Sequence, residues 1–197
     1  MPVLDETRRE RVLGAVVACF ARYGYRRTSM DLLAQAADMS RPALYQYFRN
    51  KEEVFRAAVD WSLDRTARHA EGAACSTAPT EERVRAILDA VLDLYTGNPV
   101  TGEHFHELLD EVYSRTADLW AAFEKRTLAA LRAVLDSDAK GPADISTEDA
   151  AIVLFYGAKG IGIEARSVQT RVEHVHQLAT LVLRGLSRDT HPDKYRL

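Results

Sequence analysis

The sequence predicts an all-α fold of about nine helices, with a small N-terminal domain of three helices containing a helix-turn-helix and a larger C-terminal helical domain. Three observations predict it. Gly and Pro number only ten and six in 197 residues, while Ala, Leu, Arg and Glu are plentiful, which favours helix over sheet. Apolar residues recur at spacings of three and four in segment after segment. Helix-start signals precede several of those segments, at Thr28, Ser40, Asn50 and Ser146. A hydrophobic content of 47% is enough to build a full core.

The first helix is expected from a cap at Asp5 to about Tyr23, with Val12, Val16, Cys19, Phe20 and Tyr23 facing inward and Gly24 ending it. Two short helices follow. Thr28 is the expected cap of the first, Asp31 its acidic capping-box partner, and Leu32, Leu33, Ala36 and Ala37 its buried face. The chain turns at Asp38 and Met39. Ser40 caps the next helix, and Pro42 falls in its first turn, where a missing N–H costs nothing. Leu44 and Phe48 point to the core, leaving Arg41, Ala43, Gln46 and Tyr47 outward. Asn50 opens a fourth helix, with Glu53 completing its box, that continues to about residue 73.

Further helices are expected over residues 80–95, 103–113 and 116–136, the last with Leu119, Trp120, Phe123, Leu128, Leu131 and Leu135 inward. Residues 72–79, 97–102 and 136–145 read as loops. Ser146, with Asp149 at the box position, starts an eighth helix. Its stripe of Ala151, Leu154, Ala158, Ile161 and Ala165 is matched in a ninth by Val172, Val175, Ala179, Val182 and Leu186. Two such stripes can supply half of a four-helix bundle completed by a second subunit, or can bury against their own domain. The first option makes Leu154, Ala158, Ile161, Ala165, Val175, Ala179, Val182 and Leu186 the expected homodimer interface. Gly157, Gly160 and Gly162 lower helix propensity, and close helix approach is one compensation.

Charge is divided unevenly. Residues 1–51 hold nine Lys/Arg against five Asp/Glu, a net +4, and residues 52–197 a net −7, within −3 overall. A basic head on an acidic body orients the molecule towards a polyanion. In a helix-turn-helix the second helix enters the major groove of double-stranded DNA. Arg41 could pair with guanine O6 and N7, Gln46 with a base edge, and Ala43 with a thymine methyl. Thr28, Ser29, Ser40, Tyr45, Tyr47 and Lys51 offer phosphate contacts. With Pro42, these ten residues are the candidate DNA-binding set. The simpler alternative is a pair of core helices with solvated polar faces.

Phe20, Gly24-Tyr25, Thr28-Ser29-Met30, Leu33-Ala34, Ala37, Ser40, Leu44-Tyr45, Tyr47-Phe48 and Asn50-Lys51-Glu52 together resemble the DNA-binding domain of the tetracycline-repressor (TetR) family. Asp38 stands where that family usually has Gly, and Asp tolerates a left-handed conformation. The resemblance implies a DNA-binding domain over 1–51 and a ligand-binding and dimerisation domain over 52–197. It further implies a repressor that grips a palindromic operator as a homodimer and is released by a small-molecule effector. The fourth helix would be a lever between the two functions. Candidate residues for a largely apolar effector are Trp61, Phe105, Tyr113, Trp120, Phe123 and Tyr156, with His106 and Asp110 as polar anchors. Ordinary core is the competing reading for each aromatic.

Other chemistries fit less well. His104 and His106 diverge on a helix, as do His174 and His176, so no metal site is expected, nor any cofactor. There is no GxSxG elbow, P-loop or dinucleotide-binding glycine pattern, so an enzyme is not expected. A ligand-independent architectural DNA binder is the third class. Cys19 and Cys75, far apart and without a CxxC, indicate a reducing compartment. No basic leader precedes an apolar run, and the longest apolar run, residues 150–158, is too short to span a bilayer. A cytoplasmic protein is expected.

Overall fold

In a computed structural model of the chain, residues 6–96, 105–138, 145–164 and 167–186 are described, for Glu6, Thr96 and Phe105 the backbone alone. Among the described residues there are nine helices and no strand: α1 (Glu6–Arg27), α2 (Met30–Ala36), α3 (Arg41–Tyr47), α4 (Lys51–Cys75), α5 (Thr80–Thr96), α6 (Phe105–Arg115), α7 (Ala117–Asp136), α8 (Thr147–Ile163) and α9 (Val168–Leu186). The all-α expectation holds. The residues fall into two compact units, Met1–Arg65 with Thr96–Phe123, and Thr66–Tyr95 with Glu124–Leu197. These are units of packing.

In the first unit, α1 is broken at Gly24, whose φ of 75° and ψ of 163° lie in a region open essentially to glycine. The break corrects the expected inner stripe. Tyr23, just before the break, is exposed, and Tyr25, just after it, turns into the core. There Tyr25 meets Phe20 and Phe55 with ring centroids 5.9 and 4.8 Å away, and Phe20 meets Phe55 edge-on at 5.1 Å. Val12, Val16, Cys19, Met30, Leu33, Leu44 and Val54 complete this core, with Leu108 and Val112 of α6 packed against it. Burial pushes the Cys19 thiol above its ordinary pKa, as expected of an inert core cysteine.

The caps differ from expectation at one point. Ser29, not Thr28, caps α2, its Oγ accepting from Leu32 N at 3.3 Å. Thr28 is 2% exposed and donates its hydroxyl to Gly24 O at 2.7 Å, which ties down the chain after the break. Ala36, expected inward, is exposed, and Ala34 is buried in its place. Asp38 takes the left-handed turn, φ 52°. Ser40 caps α3 through Ala43 N. Asn50 Oδ1 accepts from Glu53 N at 2.9 Å, and the Glu53 carboxylate accepts from Arg49 N at 2.7 Å, closing the start of α4.

In the second unit, Ile87, Leu88, Val91 and Leu92 of α5 and Leu131, Val134 and Leu135 of α7 are buried, as are Ala151, Leu154, Phe155 and Ala158 of α8 and Val175 and Ala179 of α9. α8 packs directly on α9. A Cβ on Gly157 would collide with the Leu178 side chain, and one on Gly162 would come within 2.7 Å of the Tyr95 ring. These two glycines therefore permit close approach inside the chain. Gly160 faces open space.

Candidate nucleic-acid interface and effector region

The surface of α3 is set by its cap and its anchor. Ser40 fixes the first turn, and Leu44, fully buried, fixes the rotation of the helix about its axis. Arg41, Pro42, Tyr45 and Gln46 are then exposed, with Ala43 and Tyr47 half-buried beside them. Ser29 and Ser40 are exposed too, and a hydroxyl that accepts a cap bond still has its proton to donate. Nine of the ten candidate DNA-binding residues, all but Thr28, thus keep accessible surface.

Thr28 and Lys51 are engaged within the chain. Thr28 is buried and committed to Gly24. Lys51 Nζ donates to the carbonyls of Tyr25 at 2.9 Å and Arg26 at 3.4 Å, and stands 4.4 Å from the Tyr25 ring centroid. Sequence pattern put this ammonium outward. The structure uses it to bind the residues after the Gly24 break to the start of α4.

Arg41 is held in place. Its Nη1 donates to Asp31 Oδ2 of α2 at 3.1 Å, and its guanidinium carbon lies 5.6 Å from the Tyr45 ring centroid. Tyr45 first, and then Asp31, raise its pKa above an already high ordinary value, so the group stays cationic.

An ionic cluster lies where α1, α4 and α6 converge. Glu111 of α6 is 7% exposed and accepts from Arg26 Nε at 3.3 Å and Arg115 Nε at 2.5 Å. Arg115 also reaches Glu52 at 3.6 Å and sits 4.4 Å over the Tyr25 ring. The Arg115 bond is the main cause that holds the Glu111 carboxyl below its ordinary pKa, with Arg26 adding to it against a raising effect of burial. The i, i+4 spacing of Glu111 and Arg115 was legible in sequence; the arrival of Arg26, 85 residues away, was not.

The candidate effector residues divide. Tyr113, Trp120 and Phe123 come together, with centroids 5.0 Å and 5.3 Å apart in turn. The corner between α6 and α7 that allows this is made by Thr116, fully buried, which donates its hydroxyl to Val112 O at 2.6 Å. Trp61 lies against α1, near Gly14, with Arg65 over its ring. His106 and Asp110 are exposed, so they face solvent and not an enclosed site. Tyr156 is also exposed and donates to Glu124 at 2.6 Å, which removes it from any interior pocket of the chain. Phe105's side chain and His104 lie outside the described residues. Among the described residues, no group of three or more His, Cys, Asp or Glu could hold a metal.

The expected dimer stripe needs correction. Leu154, Ala158, Val175 and Ala179 have no exposed surface in a single chain, so they form its own core and have nothing left to bury against a second copy. Ile161, Val182 and Leu186 are half-buried, and Ala165 lies outside the described residues. The exposed apolar residues of α8 and α9 are Ile152, Val153, Tyr156, Val168 and Leu181. No helix among the described residues is long and apolar enough to cross a membrane.

A basic N-terminal head with a capped and exposed recognition helix defines a helix-turn-helix DNA-binding protein. Residues 12–58 match the family described as "Bacterial regulatory proteins, tetR family". The chain is 26% identical over 136 residues to the uncharacterized HTH-type transcriptional regulator YhgD of Bacillus subtilis, covering 69% of this chain and 71% of that protein. It is 37% identical over 71 residues to the HTH-type transcriptional repressor Rv1474c of Mycobacterium tuberculosis, a match spanning 34% of this chain and 38% of that protein. Its fold is that of the TetR family regulator PfmR from Thermus thermophilus, with TM-score 0.65 at 24% identity over 90% of this chain and 100% of that one. Residues 12–58 thus carry a TetR-type helix-turn-helix DNA-binding domain, and the chain is similar to transcriptional regulators of the helix-turn-helix type.

Proposed function

We propose that the chain is a homodimeric repressor whose two α3 helices read a palindromic operator and which a small, largely apolar molecule releases. The observation that carries this reading is the α3 face: Arg41, Pro42, Tyr45 and Gln46 are exposed on a helix whose cap and anchor leave it one orientation. Residues 1–51 form the DNA-binding part, residues 52–197 the effector-binding and dimerising part. Arg41 reads a guanine edge, Gln46 a neighbouring base and Ala43 a methyl, while Ser29, Ser40, Tyr45 and Tyr47 hold phosphates. Two such heads meet successive major grooves ~34–36 Å apart, so a small change in their separation costs operator affinity.

The effector acts by preferring one arrangement of α6 over another. Tyr113 of α6 packs on Trp120 and lies two residues from Glu111, whose carboxylate holds Arg26 at the end of α1. A ligand that parts these aromatics displaces α6 and, with it, the ion pair next to the DNA-reading helices. The test is selection of bound sequences from random duplex DNA with the full chain, repeated with candidate apolar ligands. Two inverted half-sites, lost on adding a ligand, support the reading. A chain that enriches no sequence overturns it.

A further inference from the structure

Arg41 is the first residue of α3, and its guanidinium has five N–H donors to distribute. An unconstrained arginine at this position would swing between base edges and the phosphates on either side of the groove. Here two neighbours restrict it. Asp31 Oδ2, projecting from the first turn of α2, takes one donor at Nη1, and the Tyr45 ring lies beside the guanidinium one turn along α3. Both members of the ion pair are more than half exposed, with side chains at 57% and 64%, so the pair adds little to folding. Its effect is on where the arginine points. The side chain loses its rotamer freedom before DNA arrives, which lowers the entropic cost of the contact. The remaining donors keep the planar fork that matches guanine O6 and N7. A carboxylate placed beside them also repels any phosphate to which the arginine would otherwise turn.

We infer that Asp31 is a positioning residue for base reading: it makes Arg41 a reader of one base pair in each half-site and denies it to the backbone. This rests on the assignment of Arg41 as a base-reading residue. No part of the sequence pattern suggested it, since Asp31 read as a helix-capping acid.

The test uses the full chain, its selected operator, and operators altered one base pair at a time. Asp31→Asn is expected to lower discrimination at the base pair read by Arg41 by about tenfold, with discrimination at other positions unchanged. Binding to non-operator DNA is expected to rise, because a negative charge has left the interface. Asp31→Glu should restore part of the discrimination. In an Arg41→Ala background, Asp31→Asn should have no further effect on it. A structural role for Asp31 predicts a different pattern, a uniform loss at every sequence, and that result would overturn the inference. So would unchanged discrimination in Asp31→Asn where Arg41→Ala abolishes it, which leaves the base-reading assignment standing. If Arg41→Ala itself changes no preference, the assignment beneath the inference fails as well.

Discussion

The Glu111 carboxylate of α6 accepts a hydrogen bond from Arg26 Nε, 3.3 Å away at the C-terminal end of α1. Arg26 is separated from Ser29, the cap of α2, by two residues, so this bond joins α6 to the entrance of the helix-turn-helix. Glu107, one turn earlier on α6, stands 3.6 Å from the same nitrogen. The pairing is lopsided in burial. Glu111 is nearly enclosed, whereas the Arg26 side chain is 77% exposed, so water screens one partner and the net stabilisation is modest.

Glu111→Gln is therefore expected to cost about 1–2 kcal/mol at neutral pH, read as a fall of a few degrees in melting temperature. The pH dependence has a definite sign. The folded-state pKa is lowered from an ordinary value of 4.5, so the stabilisation is fully present above that value and is lost as pH falls through the lower folded value. The gap between wild-type and variant melting temperatures should close below about pH 4.5. A gap that stays constant through that range would mean that Glu111 contributes through packing alone.

Lys51 gives a second test, because its location looks electrostatic for DNA and its contacts are internal. Lys51→Met removes the donor to the Tyr25 and Arg26 carbonyls and should destabilise the chain by roughly 1–2 kcal/mol. The salt dependence of operator binding should not change. A slope reduced by about 0.9 per site, with an unaltered melting temperature, would show a phosphate contact instead.

Gly24→Ala tests the break in α1. An alanine at φ 75°, ψ 163° is strained by about 1–3 kcal/mol, and the helix would gain by continuing straight. Continuation would redirect Tyr25 away from its place against Phe20 and Phe55. The variant should lose both stability and operator binding, and hydrogen exchange of α1–α3 amides should accelerate. Wild-type exchange in that region would contradict the role given to the break.

The helix-turn-helix was readable from sequence because its determinants are local: Ser40, Pro42, Leu44 and Asn50 act within a turn or two of themselves. Tyr23 and Tyr25 show the limit. Helical spacing favoured Tyr23 for the core, but the glycine stop that spacing also predicted resets the rotation, and only backbone geometry says by how much. The charged clusters were hidden for another reason. Arg26 and Glu111, or Asp31 and Arg41, meet through folding, and a long flexible side chain carries no periodicity to announce its partner. The stripes on α8 and α9 show a third limit. A heptad-like pattern reports that a face is buried, not which molecule buries it.

Leu154, Ala158, Val175 and Ala179 are already out of water in one chain, so enlarging or charging them would damage folding and reveal nothing about association. Gly157 meets Leu178 where α8 and α9 pack, and exposed Val153, Tyr156 and Leu181 lie within about one helical turn of that contact along their helices. Leu181 is 68% exposed. If this outer face carries the dimer, a two-fold axis places each substitution in the interface twice. Burying a leucine is worth about 1.5–3 kcal/mol. Leu181→Glu should then raise the dimer dissociation constant by at least about a hundredfold, with an unchanged melting transition for the monomer. Sedimentation at micromolar concentration would show the monomer, and operator affinity would fall because one head alone makes too few contacts. A variant that still sediments as a dimer would place the interface on another surface of the chain.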